Sequence, residues 1–219
     1  MSWESTAVYY EIINKEINKR LGGVHSGKIV LYSFDFEEIE KLQHEGKWNE
    51  LTHKLIDAAQ KLEKAGAELI LICTNTMHKM FDEVASNVSC PMIHIADATA
   101  EEIKKMGLSK VGLLGTKFTM EQDFYRERFR QHGIETLIPE PDEREIIHSV
   151  IYNELVIGLI RDESRQEFIR IINKLHERGA QGVVLGCTEI PLLIKQEHID
   201  IPVFDTTKIH ALKAVELAL

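Results

Sequence analysis

Two segments of this chain repeat one pattern 114 residues apart. Each holds a helix end, an apolar run and then Cys-Thr. The segments read Ala65-Gly-Ala-Glu-Leu-Ile-Leu-Ile-Cys73-Thr-Asn75 and Arg178-Gly-Ala-Gln-Gly-Val-Val-Leu-Gly-Cys187-Thr-Glu189. Each continues through a helical stretch to a Pro-led run, at Cys90–His94 and Ile201–Asp205. Because the spacing is about half of the 219 residues, the repeat predicts two similar halves.

Short apolar runs alternate with longer amphipathic stretches along the whole chain. The runs are typical of central parallel strands, and they cover residues 28–34, 68–73, 92–94, 110–115, 135–138, 182–186 and 201–204. The helical patterns cover residues 51–65, 120–132, 164–178 and 206–219, with Gly66 and Gly179 as predicted stops. This alternation predicts an α/β fold.

The repeat refines that fold into two pseudo-symmetric, three-layer α/β halves with mainly parallel sheets and an active site in the cleft between them. The first half takes residues 1–95 and 206–219, and the second takes residues 96–205. Shifted back by 114 positions, the run that begins at Lys110 falls just before Met1. We therefore expect the first half to lack its opening strand, unless the two halves simply diverged there.

Composition excludes several classes of protein. With 44% hydrophobic and 28% charged residues, the chain is not a disordered one. A net charge of −9 argues against nucleic acid as a partner, and no apolar run is long enough to span a membrane. The N-terminus has no secretion signal, so we expect reduced thiols and a cytoplasmic location. The histidines and glycines show no metal-ligand or nucleotide spacing, and we expect no metal and no cofactor.

Cys73 and Cys187 both end predicted strands, at the sheet edge where open α/β proteins bind ligands. Backbone N–H groups and a following helix are expected there to lower each thiol pKa below the free value of about 8.5. Two thiols on opposite sides of a cleft suit racemisation, in which one removes the α-proton and the other returns a proton to the opposite face. Inert packing and a redox pair remain alternatives. Cys90 has no counterpart in the repeat, and we interpret it as structural.

The motifs Cys73-Thr-Asn-Thr-Met-His78 and Gly186-Cys-Thr-Glu-Ile190 together resemble the aspartate/glutamate racemase family, which works without pyridoxal phosphate. The likeness extends over essentially the whole chain, through Met1–Thr6, Tyr32–Phe36, Gly115–Met120 and Phe204–Thr207. Within the family, the chain is similar to the aspartate or broad-specificity branch. Glutamate racemases typically have Cys-Thr-His at the second motif, and this chain has Glu189 in place of that histidine.

The resemblance implies a cofactor-free amino-acid racemase, an isomerase, that is commonly a homodimer. It implies Cys73 and Cys187 as the catalytic residues. The substrate contacts that it implies are Met1, Ser2, Ser33, Thr74, Asn75, Thr76, Thr116, Thr119, Thr188 and Glu189. It also implies an apolar strand and Gly-Gly ahead of Met1, where the repeat places a strand.

Several alternatives stay open at this point. Some aspartate racemases have a Lys where this chain has Val156, four residues after Tyr152, and the difference favours a less anionic amino acid. A maleate isomerase, a hydantoin racemase or a non-catalytic small-ligand module would also fit. Related decarboxylases keep only the second cysteine, so Cys73 argues against that activity.

Four polar residues near the predicted strand ends have two interpretations each. His78 can polarise the site, although a solvated or capping histidine is the expectation. Asp35 can orient the substrate ammonium or cap the next helix. His94 and Asp205 can flank the cleft or cap helices.

Overall fold

The computed structural model describes residues 2–219 and is mainly helical. The α-helices are α1 (Trp3–Leu21), α2 (Phe36–His44), α3 (Trp48–Lys64), α4 (Phe81–Ala85), α5 (Ile95–Lys105), α6 (Lys117–Glu121), α7 (Asp123–Gln131), α8 (Pro141–Asn153), α9 (Asp162–Glu177), α10 (Ile190–Leu193) and α11 (Thr206–Ala218). Short 3₁₀ helices cover Thr76–Met80, Leu155–Ile157 and Gln196–His198. The strands are β1 (Lys110–Gly115), β2 (Glu135–Leu137), β3 (Val183–Gly186) and β4 (Val203–Asp205).

The four strands form one parallel sheet in the order β2-β1-β3-β4. Leu114 of β1 is paired with Leu185 of β3, and both are buried. Strands of this sheet read as continuous apolar runs because helices cover both of its faces. The prediction of an α/β fold with a parallel sheet is confirmed.

The chain divides into two compact units, one of Met1–His94 with His210–Leu219 and one of Ile95–Ile209. The second unit contains the whole four-stranded sheet, with Cys187 in one of its hydrophobic clusters. In the first unit, a separate cluster joins Leu51 and Leu55 of α3 to Ile70 and Ile72. The stretch Trp48–Lys64 is helical because its apolar residues recur at helical spacing and point into that cluster.

Helix ends follow the local signals in the sequence. Gly66 and Gly179 follow α3 and α9 with φ values of +90° and +99°, which confirms them as stops because a side chain would be strained there. The predicted helix 120–132 is instead two, α6 and α7, and the chain leaves helical geometry at Gln122 (ψ 148°).

Three predicted strands of the first unit do not form. Residues 68–73 and 92–94 make a single parallel bridge, Ile70 with Met92. Residues 28–34 form no strand, and Ile29 to Tyr32 are 37–50% exposed despite being apolar. In the second unit β2 pairs only with β1. Residues 2–94 contain no strand that corresponds to β1 of the second unit. The segment 28–34 therefore has no neighbouring strand with which to form a ladder.

One symmetry between the units is visible in the helix caps. Ser2 caps α1, since its hydroxyl accepts a hydrogen bond from the Ser5 N–H at 3.2 Å. Thr116 caps α6 in the same way through the Thr119 N–H at 3.4 Å. The two pairs are separated by the repeat distance of 114 residues. None of the helices within residues 2–219 has the length and apolar character that crossing a membrane requires.

Candidate active site

Cys187 follows the last residue of β3 directly and is buried. Its Sγ donates a hydrogen bond to Oε2 of Glu189 at 2.9 Å. The hydroxyl of Thr188 donates to the same carboxylate oxygen at 2.6 Å. These three consecutive residues, which the resemblance implied, therefore form one hydrogen-bonded group between β3 and α10.

Thr116 and Thr119 lie beside this group because they follow β1, the neighbour of β3. Their hydroxyls are 3.3 Å apart, and both side chains are buried. Glycines let the two strand ends approach each other. A Cβ on Gly115 would lie 2.8 Å from the carbonyl oxygen of Gly186 and 3.0 Å from Cβ of Thr119. The structure thus brings five predicted site residues of the second unit together at one end of the sheet.

Cys73 lies at the matching place in the first unit, just after the segment that bridges to Met92. The residue is mostly buried, although less so than Cys187. The hydroxyl of Ser5 donates to the Cys73 carbonyl oxygen at 3.0 Å, which attaches the start of α1 to the cysteine loop. Of the loop residues that follow, Thr74 is half-buried, while Asn75 and Thr76 are buried.

Buried histidines pack under this loop. Nδ1 of His78 lies 2.7 Å from the Thr74 carbonyl oxygen, which holds the loop to the 3₁₀ helix. The His78 ring contacts the rings of His94 and His210, with centroids 4.7 Å and 5.5 Å away. His78 is only 2% exposed, so the expectation of a solvated histidine is wrong. His78 lies five residues after Cys73, on the 3₁₀ helix Thr76–Met80, and its side chain is buried in the unit.

Two hydrogen-bond contacts hold the ring of His210 in that cluster. Its Nδ1 lies 2.8 Å from the Tyr9 hydroxyl and its Nε2 lies 2.9 Å from the carbonyl oxygen of Ile93. A carbonyl only accepts, so Nε2 carries the proton and Nδ1 accepts from Tyr9. Burial lowers the pKa of His210 to about 4. The pKa of His78 is also well below its usual range, through burial and the neighbouring His94 and His210. Both histidines are therefore neutral at pH 7.

Both thiols have raised pKa values, and the expectation of lowered ones is wrong. Burial raises the pKa of Cys73 to about 11. Burial also raises that of Cys187 well above its usual range, and the Glu189 carboxylate raises it further. The N–H groups of Glu189 and Ile190 lower the Cys187 pKa, as the sequence suggested, but burial outweighs them. The helices after the two cysteines have only five and four residues, so their dipoles are small.

Four of the remaining candidate residues are Met1, Ser33, Asp35 and Asp205. Met1 is outside the described residues, and Ser33 is exposed in the segment that forms no strand. Asp35 caps α2 by accepting from the Glu37 N–H at 3.1 Å, and Asp205 accepts from the Lys208 N–H in the first turn of α11 at 3.1 Å. The capping interpretation describes both.

His94 and Cys90 each contact side chains of the first unit. The ring of His94 packs on Phe81, with centroids 4.8 Å apart, inside the histidine cluster. The N–H of Cys90 donates to the Glu63 carboxylate at 2.9 Å, in a turn remote in sequence from either Cys-Thr motif. No set of three or more His, Cys, Asp or Glu side chains in residues 2–219 is arranged to hold a metal ion.

Ser5, Tyr9 and His210 belong to the surroundings of Cys73, yet the sequence interpretation missed them. A signal existed for Ser5, because it is the repeat counterpart of Thr119. Tyr9 and His210 have no local signal, since they meet only when α1 and α11 pack against the Cys73 loop.

Comparison with known proteins decides the family. The model of the Asp/Glu/hydantoin racemase family matches residues 1–214. The chain belongs to this family. Its members are racemases, which are isomerases, and the resemblance predicted from the two Cys-Thr motifs is confirmed.

Three relatives show how near the likeness is. A protein from Yersinia pestis, solved as a candidate Asp/Glu racemase, is 51% identical, with a TM-score of 0.94 over 100% of this chain and 95% of its own. An aspartate racemase homologue from Pyrococcus horikoshii OT3 is 41% identical, with a TM-score of 0.86 over 99% and 95%. The broad specificity amino-acid racemase RacX of Bacillus subtilis is 25% identical over 73% of this chain and 68% of its own.

Proposed function

We propose that this protein is a cofactor-independent amino-acid racemase in which Cys73 and Cys187 exchange protons with opposite faces of Cα. The observation that carries the proposal is the matched placement of the two thiols. Cys73 follows a segment that makes a parallel bridge to Met92, and Cys187 follows β3, which pairs in parallel with β4. Each cysteine is followed by a threonine and then by a short helical turn. Chance burial of cysteine does not predict the same position in two units.

The proposed reaction moves one proton onto a thiolate and another off a thiol. The thiolate of one cysteine takes the α-proton, and the C–H electron pair stays on Cα, delocalised into the substrate carboxylate. The other cysteine then gives its S–H proton to the opposite face, and that electron pair stays on its sulfur. The product is the mirror-image amino acid, and the thiol and thiolate have changed places.

Ionisation of a thiol is the costly part of this scheme. At pH 7 a thiol with a pKa of about 11, as for Cys73, costs about 5 kcal/mol to ionise, at 1.36 kcal/mol per pKa unit. The α-ammonium group of a bound amino acid offsets part of that cost, because a cation near the sulfur favours the thiolate. The proposal thus couples substrate binding to formation of the base.

Hydroxyl and amide side chains supply most of the proposed substrate contacts. In the first unit the proposed contacts are Met1, Ser2, Ser33, Thr74, Asn75 and Thr76. In the second unit they are Thr116, Thr119, Thr188 and Glu189. Groups of this kind, with main-chain N–H donors, bind an α-carboxylate and stabilise the charge that develops on it as the carbanion forms.

A broad substrate range is the specificity we propose. Tyr152 and Val156 pack against the hydrophobic cluster that contains Cys187, and neither carries a charge that would fix a side-chain carboxylate. The named specificity of RacX, broad rather than single, agrees with this choice. We also propose a homodimer in the cytoplasm, a state that gel filtration with light scattering tests.

A panel of single L-amino acids in D2O tests the activity. The proposal predicts that the α-proton signal disappears from the NMR spectrum while optical rotation falls to zero, for acidic and neutral amino acids alike. Turnover of maleate or of a hydantoin, without turnover of amino acids, would contradict it in favour of another isomerase. Ligand-dependent thermal stabilisation without proton exchange would indicate a binding protein instead.

A further inference from the structure

Cys187 is in hydrogen-bond contact with a charged side chain, Glu189. Oε2 of Glu189 accepts hydrogen bonds from the Cys187 thiol at 2.9 Å and from the Thr188 hydroxyl at 2.6 Å. A carboxylate that accepts from a thiol stabilises the S–H form, and it repels the negative charge of a thiolate at the same distance. The repeat counterpart of Glu189 beside Cys73 is Asn75, which is uncharged.

Cys187 belongs to a hydrophobic cluster of the second unit. The side chains that pack around it from β1, α6 and α10 are apolar, and include Leu114, Met120 and Ile190. Tyr152, from α8, is a titratable side chain that packs against the same cluster, and the ring of His148 lies 4.8 Å from its ring, centroid to centroid. In such an apolar setting the effective dielectric constant is low, so the charge of the Glu189 carboxylate acts strongly on the sulfur.

We infer that Glu189 keeps the Cys187 thiol protonated, which makes Cys187 the first proton donor and leaves Cys73 as the cysteine that ionises to become the first base when substrate binds. Glu189 is then a positioning residue that acts through Cys187, in addition to the substrate contact proposed above. The raised pKa of Cys187, to which the carboxylate contributes, agrees with this assignment. The catalytic consequence rests on the proposed racemase function, whereas the protonation state itself does not.

The proton balance of a half-reaction follows from this starting state. Cys187 begins as S–H beside an ionised Glu189. When the Cys73 thiolate has removed the α-proton, the Cys187 proton moves to the opposite face of Cα and its electron pair stays on sulfur. The new thiolate lies next to a carboxylate, and this repulsion favours its return to the thiol. Cys187 takes a proton from water, and the hydroxide that remains takes the S–H proton of Cys73, which restores the water molecule and the starting pair.

Alkylation of each cysteine by iodoacetamide, measured against pH from 6 to 10, tests the inference on the full chain. Only the thiolate reacts, so the pH profile of each site reports its ionisation. Peptide mass spectrometry separates Cys187 from Cys73, which serves as the internal reference. In Glu189→Gln we expect the Cys187 profile to move to lower pH by at least one unit, with a rate about tenfold higher at pH 8, while Cys73 is unchanged.

Two further variants separate charge from structure. Glu189→Asp keeps the charge and is expected to retain slow alkylation of Cys187. Thr188→Val removes the other donor to the same oxygen. It is expected to leave the alkylation rate of Cys187 within a factor of about two of the wild-type rate at each pH, because the carboxylate charge remains. An unchanged Cys187 profile in Glu189→Gln, or an equal shift at Cys73, would overturn the inference. If no amino acid is racemised but the profile shifts as expected, the proposed function fails and the inference about Cys187 stands.

Discussion

Because His210 is buried and has a lowered pKa, we predict that the protein loses stability in mild acid. Its pKa is about 4 in the folded chain, against an ordinary value of 6.5. Between these values the unfolded chain binds a proton that the folded chain does not, so the free energy of unfolding falls as the pH falls through that window. The full difference is about 3 kcal/mol, and about 2 kcal/mol of it is lost between pH 7 and pH 5.

The geometry explains why protonation is unfavourable. Nε2 already donates to the Ile93 carbonyl, and Nδ1 accepts from the Tyr9 hydroxyl. A proton on Nδ1 would place a cation in a buried cluster beside His78 and His94. His78 is buried and neutral as well, so the loss measured for the whole protein should exceed the share of His210.

Urea denaturation at pH 7 and pH 5 measures this effect on the wild type and two variants. His210→Gln has no group to titrate, and its loss between the two pH values should be smaller than that of the wild type by about 2 kcal/mol. Tyr9→Phe keeps the histidine and removes one hydrogen bond. It should be less stable by about 1 kcal/mol at pH 7, with the acid-dependent loss retained. Equal acid losses in wild type and His210→Gln would refute the assignment of a neutral, buried His210.

Three other outcomes follow from the structure. Gly115→Ala should lower the free energy of unfolding by about 1–3 kcal/mol and disturb Cys187, because its Cβ would lie 2.8 Å from a backbone carbonyl oxygen. Gly112→Ala should cost less, because the nearest atom to its Cβ, at 2.9 Å, is the flexible end of the Leu175 side chain. Thermal unfolding of both variants compares them, and equal stability would count against the close strand approach. At pH 7 iodoacetamide should alkylate Cys73 about a hundredfold more slowly than the same cysteine in a short unfolded peptide, and a rate equal to the peptide's would contradict burial of the sulfur. Amide hydrogens of residues 28–34 should exchange with solvent far faster than those of β3 in mass-spectrometric measurements, and protection as strong as in β3 would mean that the segment is paired.

Local patterns predicted the elements whose partners are close by in the same unit. The apolar run at Lys110–Gly115 is β1 as expected, and Gly66 and Gly179 end their helices. The same kind of pattern failed at residues 28–34. An apolar run becomes a strand only when a neighbouring strand supplies hydrogen bonds, and that condition is not visible in the run itself.

The candidate site divides along a similar line. The repeat brought Cys187, Thr188 and Glu189 to attention, and the structure joins them by hydrogen bonds. The sign of the thiol pKa shifts was wrong, because desolvation depends on the residues that pack around a sulfur from distant parts of the chain. The Tyr9–His210 contact was invisible for the same reason, since it joins side chains 201 residues apart.

The central claim is that two thiols share the proton transfer. Its most direct test is racemisation and α-proton exchange in D2O by the wild type and by Cys73→Ala, Cys187→Ala and Cys90→Ala, with the best amino acid of the panel. The account predicts that either of the first two substitutions abolishes racemisation and that Cys90→Ala leaves it intact. In the wild type, solvent deuterium should appear in the product enantiomer before it appears in the substrate that has not yet reacted. Undiminished racemisation by either Cys73→Ala or Cys187→Ala would contradict the account.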